Sequence, residues 1–351
     1  MKTTIPQTTI GIDLGDMKHA VCVLDHDGEI IKQRTIVNTK EALKRVSRRY
    51  PDARVAMEVG SHSPWVSRYL IQLGHEVLVA NPRKMRAIYT NDRKSDEVDA
   101  MMIARIARVD PKLLHPITHS SEQHQRDLLQ VKLRDNLVRQ RVDIISSIRF
   151  TLKSMGVRLP SPKTTSFAKQ ARLLLEVEDT DLLAMIEPSL QVIDLITKNV
   201  RELDRKIEAL GQERYPVTQK FQQITGIGPI TSLSFVLTIG DPERFAKPRD
   251  VGAYLGLVPK RDQSGNSDKQ LRISKAGDKY LRKLLVSAAQ YIIGPFGADC
   301  DLRRHGLALA ARGGRAAKKK AVIAIARKLS VLMLAMWKQE GRDYEPLRRV
   351  A

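Results

Sequence analysis

Four acidic side chains stand where they could bind a divalent metal ion together. Asp13 and Glu58 each end an apolar run that predicts a buried strand, where a charge is costly unless it is paired or metal-bound. Asp96 and Asp99 begin a helical run, and a spacing of three places both carboxylates on one helix face. Because Mg²⁺ prefers carboxylate oxygens from well-fixed elements, the sequence predicts a Mg²⁺ site formed by these four residues.

Such a site would act on a phosphodiester. Four converging carboxylates repel one another without a cation, so their convergence would itself favour bound metal. Two metal ions could activate an attacking oxygen and stabilise the departing one. The alternative for each acid alone is a surface or capping role, and Asp96 after Ser95 could simply begin its helix.

The elements that would position these acids fill the first third of the chain. Three β-branched or apolar runs come first, with Asp27-Gly28 as a hairpin signal between the second and the third. A helix, a strand, a helix and a further strand follow, which is an α/β order. This order matches a ribonuclease-H-like sheet better than a doubly wound one. We therefore predict an α/β ribonuclease-H-like catalytic domain over residues 1–118.

A helical region is predicted over residues 119–218. One heptad seam includes Leu128, Val131, Val138, Val142, Ile145 and Leu152, with Asp135 and Arg149 as its polar members. A second seam runs from Ile193 to Leu210, and the segment Gly156–Ser166 separates the two as a loop. The pattern leaves a helical hairpin within the chain and a coiled coil between protomers both open.

The remaining residues, 219–351, predict a basic, mostly helical domain. They contain 25 of the 60 Lys and Arg but only 11 of the 39 Asp and Glu, in a chain of net charge +21. A polyanion is the partner that this balance favours, so we expect nucleic acid. Three basic segments could contact its phosphates: 83–93, 269–283 and 312–320.

Other features of the sequence indicate in which part of the cell the protein works. The two cysteines, Cys22 and Cys300, have no metal-ligand spacing and predict neither a zinc site nor a disulfide framework. The first ten residues lack an apolar signal core, and the longest apolar run is broken by Arg327 and Lys328. We expect a cytoplasmic protein with no membrane partner.

Several short motifs together resemble a known family. GIDLG, AMEVG and KSDEVDA occur in this order, followed by the runs Ile224–Pro229 and Tyr254–Pro259 and by Ser264-Gly265. This series resembles the DEDD insertion-sequence transposases of the IS110 group, which are relatives of the Piv-type site-specific DNA invertases. No single motif is specific, and the order over most of the chain carries the resemblance.

The resemblance implies a RuvC-like catalytic domain, a coiled-coil insertion and a C-terminal transposase domain. It implies that Asp13, Glu58, Asp96 and Asp99 are the catalytic Mg²⁺ ligands and that Ser264 is the nucleophile that joins covalently to DNA, with Ser274 as the second choice. It further implies donor and target DNA, a structured guide RNA, and a homodimer or homotetramer as partners. The predicted function is an RNA-guided DNA transposase or recombinase.

Other classes of protein remain open from the residues. A structure-selective junction endonuclease would share the four acids, and a site-specific DNA invertase would work without a guide RNA. A nucleic-acid-binding protein with an inactive site is a third class. The opening GIDLG also occurs in actin-like ATPases and sugar kinases, but the second phosphate loop and the adenosine turn of that fold are not found in the sequence. Taken alone, Ser264 would be read as an ordinary turn residue.

Overall fold

The computed structural model describes residues 8–85, 95–159, 163–264, 267–339, 341 and 343–347. Contacts divide the chain into two compact units, residues 1–120 and residues 121–351. Each unit has its own hydrophobic core. The two units are therefore described separately.

The first unit is a mixed sheet with helices. Its elements are β1 (Thr9–Leu14), β2 (Lys18–Leu24), β3 (Ile30–Val37), α1 (Lys40–Arg49), β4 (Arg54–Glu58), α2 (Ser63–Gln72), β5 (Glu76–Ala80), α3 (Pro82–Met85) and α4 (Asp96–Val109). The predicted run of three strands, helix, strand, helix and strand is confirmed.

The strands of this sheet are arranged in the order β3-β2-β1-β4-β5. The first three form an antiparallel meander, whereas β4 and β5 are parallel to β1. The predicted turn at Gly28 is confirmed, since its φ of 88° is a conformation that glycine adopts without strain. The first unit is thus a mixed α/β sheet, as predicted.

Helix α4 packs on one face of this sheet, and a glycine permits its close approach. A Cβ built on Gly11 of β1 would lie 2.0 Å from the carbonyl oxygen of Ala100 and 2.7 Å from the amide nitrogen of Ala104. At the far end of the helix, the Arg54 guanidinium donates a hydrogen bond of 3.1 Å to the carbonyl oxygen of Ala107. These contacts fix both the height and the direction of α4 on the sheet.

The second unit is mostly helical. Its elements are α5 (Glu122–Ser154), α6 (Phe167–Glu178), α7 (Thr180–Glu213), α8 (Val217–Gln222), α9 (Pro229–Ile239), α10 (Asp250–Tyr254), β6 (Pro259–Ser264), β7 (Ser267–Ile273), α11 (Lys279–Ile293), α12 (Asp301–Ala311) and α13 (Ala317–Lys338). The predicted loop between the two heptad seams is confirmed for its described residues, although α6 was not predicted. In the described part of the chain, no helix is long and apolar enough to cross a bilayer.

The long helices α5 and α7 pair antiparallel within the chain. Arg134 of α5 forms an ion pair with Asp204 of α7. About two turns farther along α5, the Arg141 guanidinium donates a hydrogen bond to the Thr197 hydroxyl. The predicted seam is wrong at one position, because Val142 is exposed and the neighbouring Arg141 is buried. A heptad pattern read from one helix cannot tell which of two adjacent residues faces the partner helix.

A buried carboxylate fastens the end of α7 to the start of α5. Asp127 is 2% exposed and accepts hydrogen bonds from the Arg214 guanidinium, the Tyr215 hydroxyl and the Gln123 amide. Burial alone would raise the pKa of Asp127, but these hydrogen bonds outweigh burial and lower it. A charge at this depth is stable only because its oxygens are hydrogen-bonded.

The helical pair shares a core with the helices that follow it. Val131 of α5 and Ile207 of α7 belong to the same buried cluster as α9, α11 and α13. Strands β6 and β7 pair antiparallel, and their described residues are mostly exposed, so Ser264 ends a strand although the sequence alone read it as a turn residue. Both faces of this ribbon are solvated, so the apolar alternation that signals a strand is missing.

Candidate active site

Asp13 and Glu58 lie side by side on one face of the sheet. Strands β1 and β4 are parallel, and the pairs Gly11 with Ala56 and Ile12 with Met57 set their register. Because side chains alternate between faces, Asp13 shares the face of Gly11 and Glu58 shares the face of Ala56. The next position in register therefore places both acids, each partly buried, on the face that α4 covers.

The first turn of α4 lies at the same height as these two acids. From Gly11 to Asp13 the strand advances about 7 Å, which corresponds to between four and five residues of helix. Measured back along α4 from the Ala100 and Ala104 contacts with Gly11, this distance ends between Asp96 and Asp99. The backbone thus brings all four predicted acids to one edge of the sheet.

The two helix acids differ in exposure. Ser95 is the N-cap of α4, and its hydroxyl accepts from the Val98 amide, so Asp96 is the first helical residue and is exposed. Asp99 is partly buried. Acids in a first helical turn are favoured by the helix dipole whatever else they do. The capping role that was the alternative for this segment therefore belongs to Ser95, and Asp96 remains a candidate ligand.

The side chains do not form a closed ligand set. Among the described residues, three or more potential ligand atoms lie within 4.8 Å of one another only at Asp25, His26 and Asp27, so no three of the four predicted acids do so. The former group is an exposed hairpin turn in which Asp25 accepts from the backbone. Carboxylates that share one edge repel one another, and a cation between them is what would draw their oxygens together.

The donor set fits a hard divalent cation. All four predicted ligands are carboxylates, and two of them are carried by adjacent strands whose backbone hydrogen bonds hold them rigidly. Mg²⁺ is bound in proteins through a few such oxygens while it keeps several waters. The residues present could therefore hold Mg²⁺, with Asp13 and Glu58 as its fixed ligands.

A histidine network that sequence reasoning missed lies at the same sheet edge. Trp65 donates from its indole nitrogen to His62 Nδ1 at 3.1 Å, and His62 Nε2 lies 3.0 Å from Asp16 Oδ1. Since an indole N–H can only donate, Nδ1 is the acceptor and Nε2 carries the proton that His62 donates to Asp16. The network ties the turn after Asp13 to the loop after Glu58.

Two further histidines flank this network. His19 is fully buried on β2, and its ring centroid lies 6.4 Å from that of His62. Burial is the main cause that lowers the pKa of His19, so its ring stays neutral near pH 7. His119 Nε2 lies 2.9 Å from the buried Ser63 hydroxyl. Single histidines without a repeated spacing gave no signal in the sequence.

The two candidate nucleophiles lie on the exposed hairpin and at its base. Ser264 is the last residue of β6, and its backbone pairs with that of Ser267. Ser274 follows β7, where its amide donates to the Val258 carbonyl and its hydroxyl accepts from the Ala276 amide. Ser274 therefore has a local structural role, whereas the backbone places Ser264 at the end of the ribbon.

The motif Tyr254–Pro259 packs closely against the segment 275–277, which follows β7. A Cβ on Gly256 would lie 2.2 Å from the Ala276 amide nitrogen, and one on Gly277 would lie 2.1 Å from the Tyr254 carbonyl oxygen. Both glycines have positive φ, which adds a second reason for glycine. Arg282 donates to the carbonyl oxygens of Leu255 and Ala276 on the two segments. The motif Tyr254–Pro259 and the segment 275–277 therefore hold the two ends of the β6–β7 pair in place.

The predicted basic segments have different surroundings. Most of segment 83–93 lies outside the described residues. In segment 269–283, Arg282 is bound to backbone carbonyls and Lys283 forms an ion pair with Asp135. Residues 312–315, which follow α12, and residues 318–320, in the first turn of α13, are by contrast exposed. Before α9, Gly226 and Gly228 are exposed and line a shallow cleft together with Tyr291.

Comparisons with known proteins find similarity to transposases over most of the chain. A model of DEDD-type IS110 transposases matches residues 10–156, and a model described as "Transposase IS116/IS110/IS902 family" matches residues 218–298. The transposase for insertion sequence element IS1328 of Yersinia enterocolitica is 29% identical over 289 residues, which are 81% of this chain and 83% of that protein. The transposase for IS1111A of Coxiella burnetii is 27% identical and covers 93% of this chain and 88% of its own length.

A relative with a different activity in its name also matches almost end to end. The pilin gene-inverting protein of Moraxella bovis is 23% identical over 95% of this chain and 96% of its own length. The two family models match the segment that carries Asp13, Glu58, Asp96 and Asp99 and the segment that carries Ser264.

Proposed function

The chain belongs to the IS116/IS110/IS902 family of transposases, which are DNA recombination enzymes, and from that premise we propose that it cuts and rejoins DNA at a Mg²⁺ site formed by Asp13, Glu58, Asp96 and Asp99. One observation carries the proposal. Asp13 and Glu58 are register neighbours on one sheet face, and the first turn of α4 lies at their height. The strand order β3-β2-β1-β4-β5, with its antiparallel meander, supports a ribonuclease-H-like, RuvC-like fold for this unit.

The protein's own groups would divide the work. Bound Mg²⁺ would supply a Lewis acid at the phosphodiester and lower the pKa of an attacking hydroxyl. Asp13 and Glu58 would hold it in a fixed place because both are carried by paired strands. Asp99, partly buried on α4, and Asp96, exposed one turn earlier, would complete the site from the helix.

The second half of the proposal assigns the nucleophile to Ser264. Its hydroxyl oxygen would attack phosphorus, its proton would pass to a base, and the departing deoxyribose oxygen would take up a proton as the old ester bond breaks. A phosphoserine ester would then join protein to DNA until a DNA hydroxyl reverses the step. The position of Ser264 at the end of an exposed ribbon supports this role. Ser274, whose hydroxyl caps a turn, is the second choice.

The partners follow from the same premise. We propose donor and target DNA, a structured guide RNA, and a homodimer or homotetramer. The division into residues 1–118, 119–218 and 219–351 and the coiled-coil character of the middle part are further parts of the proposal. Sequencing the RNA that copurifies with the protein tests the guide, because a single structured species is expected and random cellular RNA contradicts it.

Replacing the first acid tests the metal site. We expect Asp13→Asn to abolish Mg²⁺-dependent strand cleavage, because the amide is a neutral and weaker ligand. Asp52→Asn is the matched control, since Asp52 is exposed in a turn of the same unit. Circular dichroism checks that both variants are folded. Cleavage that persists in Asp13→Asn at the level of Asp52→Asn contradicts the metal role.

Replacing the serine tests the covalent step. We expect Ser264→Ala to lose the covalent protein-DNA adduct, which denaturing gels detect, and to retain DNA binding. Ser267→Ala is the control, because Ser267 pairs with Ser264 across the hairpin and has the same hydroxyl. An adduct that survives in Ser264→Ala but not in Ser274→Ala moves the nucleophile to the second position.

A site-specific DNA invertase without guide RNA is the second candidate. It is favoured by the pilin gene-inverting proteins, which match nearly the whole chain. Recombination of two inverted sites by RNA-free protein would support this candidate. A structure-selective junction endonuclease would instead cut branched DNA and leave no covalent adduct.

A further inference from the structure

The far end of the α5–α7 pair is strongly basic. Between residues 144 and 175 the sequence contains six Lys and Arg and neither Asp nor Glu. This stretch covers the end of α5, the loop after it and most of α6. One of the six, Arg172, is neutralised by Glu187 and Asp194 of α7. The stretch as a whole therefore has a local excess of positive charge.

This end of the unit has a core of its own. Ile148 and Leu152 of α5 pack with Phe167 and Leu175 of α6 and with α7 in a cluster separate from the main core. Along α5, Leu152 lies about 30 Å beyond Val131, which belongs to the main core. The cations are thus carried by a fixed, locally packed tip.

Three of the basic side chains line one groove at the end of α5. The Val157 amide donates to the Leu152 carbonyl at 3.0 Å, and Gly156 has a φ of 82°, which is the αL turn that commonly ends helices. The reversal places Arg158 in the same groove as Arg149 and Lys153. Arg149 is held over the ring of Phe167 at 5.4 Å, so its orientation is set by the local core.

Stabilisation of the helix end does not account for this groove. A cation in the last turn of a helix interacts favourably with its dipole, and Lys153 is so placed. Arg149 and Lys153, however, are four residues apart, a spacing at which like charges destabilise a helix. Arg158 lies beyond the helix, where the dipole effect has fallen off. Three basic side chains that line one groove are better suited to a polyanion.

We propose that this groove, lined by Arg149, Lys153 and Arg158, binds the phosphodiester backbone of nucleic acid. It is distinct from segments 83–93, 269–283 and 312–320, and it rests on the proposed function only in taking nucleic acid as the partner. Contacts from such basic side chains to phosphates position a nucleic acid and carry no sequence information directly. Duplex DNA and folded RNA share this chemistry.

The test is the salt dependence of binding by the full-length protein. The variant combines Lys153→Gln, Arg158→Gln and Lys163→Gln, all at exposed positions, and leaves Arg149 on its ring. Binding to a short duplex DNA and to an RNA hairpin of matched length is measured over a salt series. Because each duplex phosphate contact contributes about 0.9 to the slope of log Kd against log salt, we expect the slope to fall by about 2 to 3.

A second triple variant keeps the loss of charge constant. Lys198→Gln, Arg205→Gln and Lys206→Gln remove three exposed cations from α7 away from the tip, and we expect no change in slope. A fall confined to the RNA or to the DNA probe supports the proposal and identifies the source of the backbone. Equal slopes for the tip variant and the unmodified protein on both probes overturn it, as does an equal fall in the control. The assay reads binding, so failure of the Asp13→Asn prediction leaves it unaffected.

Discussion

Gly11→Ala is the substitution that connects the packing of the sheet most directly to the acids. The added methyl group would lie 2.0 Å from the Ala100 carbonyl oxygen and 2.7 Å from the Ala104 amide nitrogen. Both are backbone atoms of α4, so no side-chain rotation can relieve the contact. Since carbon and oxygen atoms approach no closer than about 3.3 Å, helix α4 must move away from β1 by about 1 Å or more.

The cost has two parts. Overpacking of this kind destabilises a protein by about 1 to 3 kcal/mol. For a unit of this size that corresponds to a fall in Tm of roughly 4 to 12 °C. The same movement carries Asp96 and Asp99 away from Asp13 and Glu58, and misplacement by about 1 Å can reduce a rate by 100-fold or so.

The experiment compares Gly11→Ala with Gly60→Ala. A Cβ on Gly60 meets no atom within 4 Å, and this glycine lies two residues after Glu58. Thermal unfolding is measured for both variants. Mg²⁺-dependent strand cleavage is then measured at a temperature at which both are folded. We expect Gly60→Ala to behave as the unmodified protein does. Normal Tm and normal cleavage in Gly11→Ala would refute the assigned contact between α4 and β1, and normal cleavage with a lowered Tm would refute the link from α4 to catalysis.

Two further predictions concern the second unit. The pKa of Asp127 is lowered in the folded state, so the stability that its carboxylate contributes is present above the ordinary carboxyl pKa of about 3.9 and is lost as the pH falls through the folded pKa. Asp127→Asn should therefore lower the free energy of unfolding at pH 7 by about 1.5 to 3 kcal/mol and remove part of this acid dependence, as measured by urea titrations. The control Asp143→Asn, at an exposed position, should do neither. In Gly256→Ala, the methyl group would lie 2.2 Å from the Ala276 amide nitrogen at a residue of positive φ, so Tm should fall by several degrees in calorimetry. Gly228→Ala is the control, because a Cβ there meets no atom within 4 Å. Equal Tm values for the two variants would contradict the close packing of Gly256 against the segment 275–277.

The sequence by itself determined the elements of the first unit and the acids at their ends. Runs of apolar residues and turn signals such as Asp27-Gly28 are local, and a strand or helix forms from residues that are neighbours in the chain. The alternation of faces along β1 and β4 follows from the same local geometry. For this reason the bounds of these strands and the candidate pair Asp13 and Glu58 could be predicted together.

Only the tertiary structure decided which segments meet. Two of these features are contacts between residues far apart in sequence: the approach of α4 to Gly11 and the hydrogen bond between His62 and Asp16. A third is the choice of helix face, since Arg141 is buried and the adjacent Val142 is exposed. Among the described residues of β6 and β7 none is buried, so these strands leave no hydrophobic period to read. Packing partners are selected by the fit of whole surfaces, and that fit is a property of the folded chain rather than of any one segment.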